Sequence, residues 1–99
     1  MKHISILVAN EAVLASITDP RYMFTAVNDF LERAGKEPLF RVQLVGLSKE
    51  VLLNQGSFSV HTDVLLKDVK KTDLVFVPAL SGDLKAALEM NKEFVPWII

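Results

Sequence analysis

Apolar positions along the chain fall into three compact runs separated by one long periodic stretch and a broken polar segment. "ISILVA", residues 4–9, is an apolar run with isoleucine and valine. Such a run predicts a strand buried on both faces, as in a parallel sheet. "LFRVQLVGL", residues 39–47, predicts a second strand, and "DLVFVPA", residues 73–79, a last buried one. In the stretch between the first two, Phe24, Val27, Leu31 and Ala34 recur at helical spacing, and Met23 and Phe30 widen the stripe. Asp19 is a good cap, Pro20 suits a first helical position, and Gly35 suits the helix end. These signals predict a helix over residues 20–34.

"VLLNQGSFSVH", residues 51–61, predicts a hairpin turning at Asn54, Gln55 and Gly56, with Phe58 and Val60 alternating against Ser57, Ser59 and His61. Residues 62–71 are polar, with Val64, Leu65, Leu66 and Val69 predicting a short helical turn. The run "TDLVFVPALSGD", residues 72–83, breaks a strand abruptly at Pro78. Ser81 then stands where it can cap a helix to Met90, with Leu84, Ala87 and Leu88 facing inward. Asn91 begins another helical piece carrying Phe94, Val95, Trp97 and Ile98. Pro96 falls near its first turn, where it either fits or kinks the helix.

The order strand, helix, strand, hairpin, strand, helix predicts an α/β fold. The expected architecture is three-layer, with a mainly parallel, flavodoxin-like doubly wound sheet and a β-hairpin insertion. The alternative, an α+β domain with an antiparallel sheet, would pair residues 4–9 antiparallel with residues 73–77. Ligands in doubly wound sheets sit outside the carboxyl ends of the strands. Two loops qualify by position, "NEAVLASITD" after the first strand and "PALSGD" after the last. The candidate ligand-binding residues are therefore Asn10, Glu11, Ser16, Ala79, Leu80 and Ser81. A sensing role expects them to line a concave pocket; a protein-interaction module without a small ligand expects the region to be filled by side chains.

Composition removes several function classes. A chain of 99 residues holds one domain at most. Eleven basic residues balance twelve acidic ones, so no basic excess points to a phosphate backbone. Cysteine is absent, which excludes disulfides and thiol catalysis within this chain and fits a cytoplasmic protein. No apolar run approaches the roughly 18 residues of a membrane span, and "MKHISILVANE" is not a convincing signal peptide. The glycines, Gly35, Gly46, Gly56 and Gly82, are too scattered to cradle a dinucleotide or triphosphate. His3 and His61 lie far apart and acidic residues are unpaired at ligand spacing, so neither a metal nor another cofactor is expected. No serine stands in a nucleophile elbow. Ser81 reads first as a helix cap, Glu11 as a solvated loop charge and Asp83 as a favourable charge in a first helical turn. A catalytic Ser81 with Glu11 is the enzyme alternative.

Taken together, "KHISILVANEAVLASITDPRYMFTAVNDFLERAG", "FRVQLVGLSKEV", "FSVHTD" and "KKTDLVFVPALSGD" resemble the first half of a DJ-1/PfpI-like domain. More narrowly, they resemble the amino-terminal sensor domain of AraC-type, GlxA-like transcriptional regulators. The resemblance covers essentially all of residues 1–99, read as the amino-terminal part of such a domain. It implies a ligand-sensing, dimerising role, with DNA contacted only through a helix-turn-helix domain that this chain lacks. Catalytic members carry a carboxylate four residues before the proline of the first helix, where this chain has Ser16 before Pro20. They also continue their last strand into a paired-glycine loop, where this chain has Pro78, Ala79, Leu80 and Ser81. The family's nucleophilic cysteine would fall beyond Ile99. The resemblance therefore implies no catalysis; a small hydrolase or glyoxalase-like enzyme of the same superfamily is the alternative.

The chain ends "FVPWII". Three large apolar residues at the very end predict an incomplete domain or one covered by a partner subunit. A homo-oligomer is expected, with Trp97 and its neighbours or the last-strand edge at the contact. The alternative folds this tail back onto its own sheet.

Overall fold

A computed structural model describes all residues from Met1 to Ile99. In chain order the elements are β1 (Lys2–Val8), α1 (Ala15–Arg33), β2 (Phe40–Gly46), β3 (Glu50–Leu53), β4 (Phe58–His61), β5 (Val64–Leu65), a 3₁₀ turn (Leu66–Asp68), β6 (Leu74–Phe76), α2 (Leu84–Met90) and α3 (Phe94–Ile98). Four strands form one sheet in the order β5-β2-β1-β6, and β3 with β4 forms a separate two-stranded one. Every pairing in the larger sheet is parallel, with Ile4 opposite Val42 on one side and Leu74 on the other. The antiparallel alternative is thereby excluded.

β1 is central because it can be. Ile4 through Val8 are all buried, so the strand needs cover on both faces and a neighbour on each edge. Side chains alternate across it. Ile4 and Ile6, with Val42, Leu44 and Phe76 in register, share the face that meets α1. There the Phe24 ring stands edge-on to Phe40 at 4.8 Å and to Phe76 at 5.6 Å, the favoured aromatic geometry. Leu7 and Val75 belong to the opposite face, where Phe94 and Trp97 of α3 lie against them. Helices thus cover both faces, and the architecture is three-layer. No helix is long and apolar enough to cross a membrane.

Both outer strands begin with the same device. Asp63 donates its N–H to the Leu44 carbonyl at 2.8 Å and accepts the Leu44 N–H on its carboxylate at 2.7 Å. Asp73 does the same with His3, at 2.8 and 2.7 Å. Each Thr-Asp pair, 62–63 and 72–73, therefore starts β5 or β6 by clamping its neighbour. The hairpin turns where its residues predict, with Asn54, Gln55 and Gly56 all at positive φ. Val51 and Leu53 face the core.

Several boundaries differ from expectation. α1 starts at Ala15, five residues before the position that Pro20 suits. Asp19 is not its cap, and the N-terminal boundary residue, Leu14, makes no side-chain capping bond. Ile17 explains the early start, because it is fully buried and a helical turn places it there. Pro20 consequently lies inside the helix, where it forgoes one backbone bond. The far end matches expectation. Gly35 at φ +77 donates to Glu32 and Lys36 to Leu31, which closes the helix with a left-handed cap.

β6 is an edge strand rather than a buried one, so Leu74 and Val77 are exposed. Ser81 does not cap α2. Asp83 does, accepting from the N–H groups of Lys85 and Ala86 at 3.0 and 3.4 Å. Only Ala87 of the expected inward face is buried; Leu84 and Leu88 are exposed, because α2 touches the rest of the molecule along a narrow line. Val64 and Leu65 are a short strand, and the turn begins one residue later. Pro96 is the third residue of α3, a first-turn position where its missing N–H costs nothing. The tail folds back on its own sheet as far as Phe94, which is buried, and Trp97, which is half-buried; Ile99 is free.

Candidate functional site

β1 sends its connection towards β2 on one side, while β6 pairs on the other. The loops that leave β1 and β6 therefore meet at the point where the strand order diverges, the usual position for a site in such sheets. Five of the six candidate residues lie in these two loops and Ser16 in the first turn of α1, and the structure brings the loops into direct contact.

The contact is a short antiparallel pairing. Ala12 and Leu80 form an isolated bridge. The Val13 N–H donates to the Ala79 carbonyl at 2.8 Å, and the Ser81 N–H to the Glu11 carbonyl at 2.8 Å. Two hydroxyls strengthen it. Ser16 Oγ donates to the Val13 carbonyl at 2.6 Å and accepts the Ala79 N–H at 3.1 Å. Ser81 Oγ donates to the Glu11 carbonyl at 3.2 Å. Glu11 adopts φ +65 and Gly82 φ +75, which lets both chains turn away after pairing. A non-glycine residue at such a φ is uncommon and marks a tightly determined backbone. The Glu11 carboxylate lies 3.8 Å from where a Cβ on Gly82 would stand.

Asn10 is tied in from the other side. Its N–H donates to Asn91 Oδ1 at 2.7 Å, and Asn91 Nδ2 donates back to the Asn10 carbonyl at 2.8 Å. Asn91 Nδ2 also reaches the Ala87 carbonyl at 2.8 Å, so this buried amide joins the first loop to the α2–α3 junction.

The paired loops form a ridge with a hollow on each side. Towards the hairpin, a cavity of about 370 Å³ is lined by Ala12, Val13, Leu14, Ala15, Asn54, Phe58 and Ser81. Towards α2 and α3, a narrower apolar cleft of about 90 Å³ includes Leu80, Leu88, Asn91 and Phe94. Of the six candidates, Ser81 lines the first and Leu80 the second. Sequence reasoning missed Asn91 and the hairpin residues Asn54 and Phe58. The "NQG" turn marks a hairpin but says nothing of where its tip lies. An asparagine at a helix junction gives no hint of a partner 81 residues away.

The site holds no histidine or lysine. His3 lies at the amino end of β1 and His61 on β4, and neither lines either hollow. No group of three His, Asp or Glu residues is placed to hold a metal ion. Asp73, whose carboxyl is held below the usual range chiefly by the His3 N–H, belongs to the opposite end of the sheet.

No protein-family profile matches the chain, and no curated protein sequence matches it. Solved structures do. A protein from Vibrio parahaemolyticus, named provisionally as a transcriptional regulator, superposes with a TM-score of 0.74 at 16% identity over 98% of this chain. The two share a fold. The match covers 49% of the Vibrio protein, so this chain spans about half of its length. A DJ-1 superfamily protein from Agrobacterium tumefaciens is more distant, with a TM-score of 0.48 at 13% identity over 96% of this chain and 50% of that one. Of these likenesses, that to the Vibrio protein agrees with the mainly parallel α/β fold read from the sequence. At such identities they speak to fold, not to activity.

Proposed function

We propose that the chain is the ligand-sensing and dimerising part of an AraC-type transcriptional regulator, and that it performs no catalysis itself. The observation that carries this reading is the engagement of both loop hydroxyls with backbone carbonyls. An activated serine needs a base within roughly 3 Å of its oxygen. Ser81 Oγ instead donates to the Glu11 carbonyl, and Ser16 Oγ to that of Val13. Hydroxyls spent on holding two loops together suit a structural hub whose geometry a small molecule can bias. DNA would be reached through a domain outside this chain, and the cytoplasm is the matching compartment. The fold shared with a protein provisionally named as a transcriptional regulator supports the same reading.

The ridge also favours a second reading, a protein-interaction module, since the loops fill the space where a pocket between them would open. Thermal-shift screening against small metabolites separates the two. A ligand of the folded state raises the melting temperature, and sensing predicts that Ser81→Ala or Leu80→Ala reduces that shift. A flat response across a broad library would favour the module. Turnover of generic esters or methylglyoxal that disappears in Ser81→Ala would overturn the non-catalytic assignment.

A further inference from the structure

A third hollow lies beside α3, at the β5 edge of the sheet. Parallel pairing of β2 with β5 sets Gly46 opposite Leu65, so Leu47, the next residue, leaves the sheet close to Leu65. The 3₁₀ turn that follows adds Leu66, and α3 supplies Pro96 and Trp97. These residues enclose about 540 Å³, a volume in the range of small-molecule sites. Leu47, Leu66 and Trp97 are half-buried and packed on the core, so each keeps part of its apolar surface for the hollow. None of them lines the hollows beside the ridge.

Two charged side chains complete the lining, Lys67 from the turn and Glu93 at the start of α3. They have opposite signs, yet they do not pair; the one ion pair in the chain is Lys92 with Glu89. An apolar floor supplies affinity, and a few polar groups at its edge fix orientation. A neutral apolar molecule would gain from the floor alone. An anion would be drawn by Lys67 and repelled by Glu93, and a cation the reverse. Only an apolar body that carries both charges gains from the floor and from both side chains. We infer that this hollow binds a small apolar zwitterion, its carboxylate towards Lys67, its ammonium towards Glu93 and its apolar body against Trp97. Apolar α-amino acids and short apolar peptides share that chemistry. The inference goes beyond the regulatory reading above and does not rest on it.

Trp97 is the one tryptophan in the chain, so its fluorescence reports on the hollow directly, and titration calorimetry gives a second measure. L-leucine and L-leucyl-L-leucine are the probes, and a saturable change is expected with at least one. The tighter of the two fixes whether the occupant is a free amino acid or a short peptide. L-leucinamide lacks the carboxylate and N-acetyl-L-leucine lacks the ammonium; each should bind about fivefold more weakly than L-leucine. Lys67→Gln should then bind L-leucine no better than the unmodified chain binds L-leucinamide. Glu93→Gln should do the same relative to N-acetyl-L-leucine. Lys85→Gln, an exposed change on α2, should leave every affinity as it was. Circular dichroism checks that each variant is folded. Absence of saturable binding by both measures would overturn the inference. So would binding that ignores the loss of either ligand charge, or that survives both Lys67→Gln and Glu93→Gln unchanged.

Discussion

Asn10 and Asn91 bind each other through both ends of one amide. The Asn10 N–H donates to Asn91 Oδ1 and the Asn10 carbonyl accepts from Asn91 Nδ2, at 2.7 and 2.8 Å. The end of the central strand is thereby fixed to the junction of the last two helices. Asn91→Ala leaves the Asn10 N–H and carbonyl short of partners, while the Ala87 carbonyl keeps the backbone N–H of residue 91. A loss of about 1–3 kcal/mol is expected, measured by urea denaturation. Asn91→Asp keeps the acceptor and loses the donor, so it should fall between alanine and the wild type near pH 4 and approach alanine at neutral pH.

Phe94 and Ile99 should behave oppositely despite standing in one apolar tail. Phe94 is buried against the sheet, and Ile99 is almost wholly exposed. Phe94→Ala is expected to cost about 3–5 kcal/mol. Ile99→Ala should stay within about 0.5 kcal/mol of the wild type. Equal effects in thermal unfolding would contradict the docking of α3.

Gly46 ends β2 in a crowded position. A Cβ there would lie 2.5 Å from Thr62 Cγ2 and 3.0 Å from the Ser48 carbonyl oxygen. Gly46→Ala should therefore destabilise by about 1–3 kcal/mol through overpacking. Thr62→Ser removes the nearer atom but keeps the hydroxyl that donates to the Ser48 carbonyl at 2.8 Å. The double variant should recover part of the loss. Strict additivity of the two changes would show that Thr62 is not the clash.

Asp73 gives a pH signature. The His3 N–H, aided by the charges of Lys71 and Lys2 against some desolvation, holds its carboxyl below the ordinary range. A depressed native pKa means that the unfolded chain binds the proton more readily. The stabilisation is thus present above about pH 4 and disappears as the pH falls through the lower native value. Asp73→Asn should be less stable than the wild type at neutral pH. The gap should close in acid, when denaturation curves are compared down to about pH 2. A pH-independent gap would assign the effect to shape rather than charge.

Much of the fold is legible in local pattern. Ile4 through Ala9 announce a doubly covered strand, Phe24 and its helical repeats announce α1, and Asn54-Gln55-Gly56 announces the hairpin turn. Where local signals compete, the sequence misleads. Asp19-Pro20 imitates a helix start, yet Ile17 prolongs the helix backwards because a fully buried isoleucine outweighs one backbone bond lost at Pro20. Ser81 and Asp83 are both acceptable caps two residues apart. The choice falls to Asp83 because Ser81 is drawn away by Glu11.

The candidate site divides in the same way. That two loops follow buried strands, and that Asn10, Glu11, Ala79, Leu80 and Ser81 lie in them, depends on short-range periodicity and could be read from the residues; Ser16 belongs instead to the first turn of α1. Whether those loops open as a pocket or close as a ridge depends on hydrogen bonds between residues some 60–80 positions apart, such as Ser16 with Ala79 and Ser81 with Glu11. No local propensity carries that information. Those bonds form only after parallel pairing of β1 with β6 has set the two strand ends side by side. Sequence alone therefore determined the elements and the end of the sheet at which to look. Tertiary structure decided which polar groups are free and which are spent on each other, because that depends on distances the chain acquires only once it is folded.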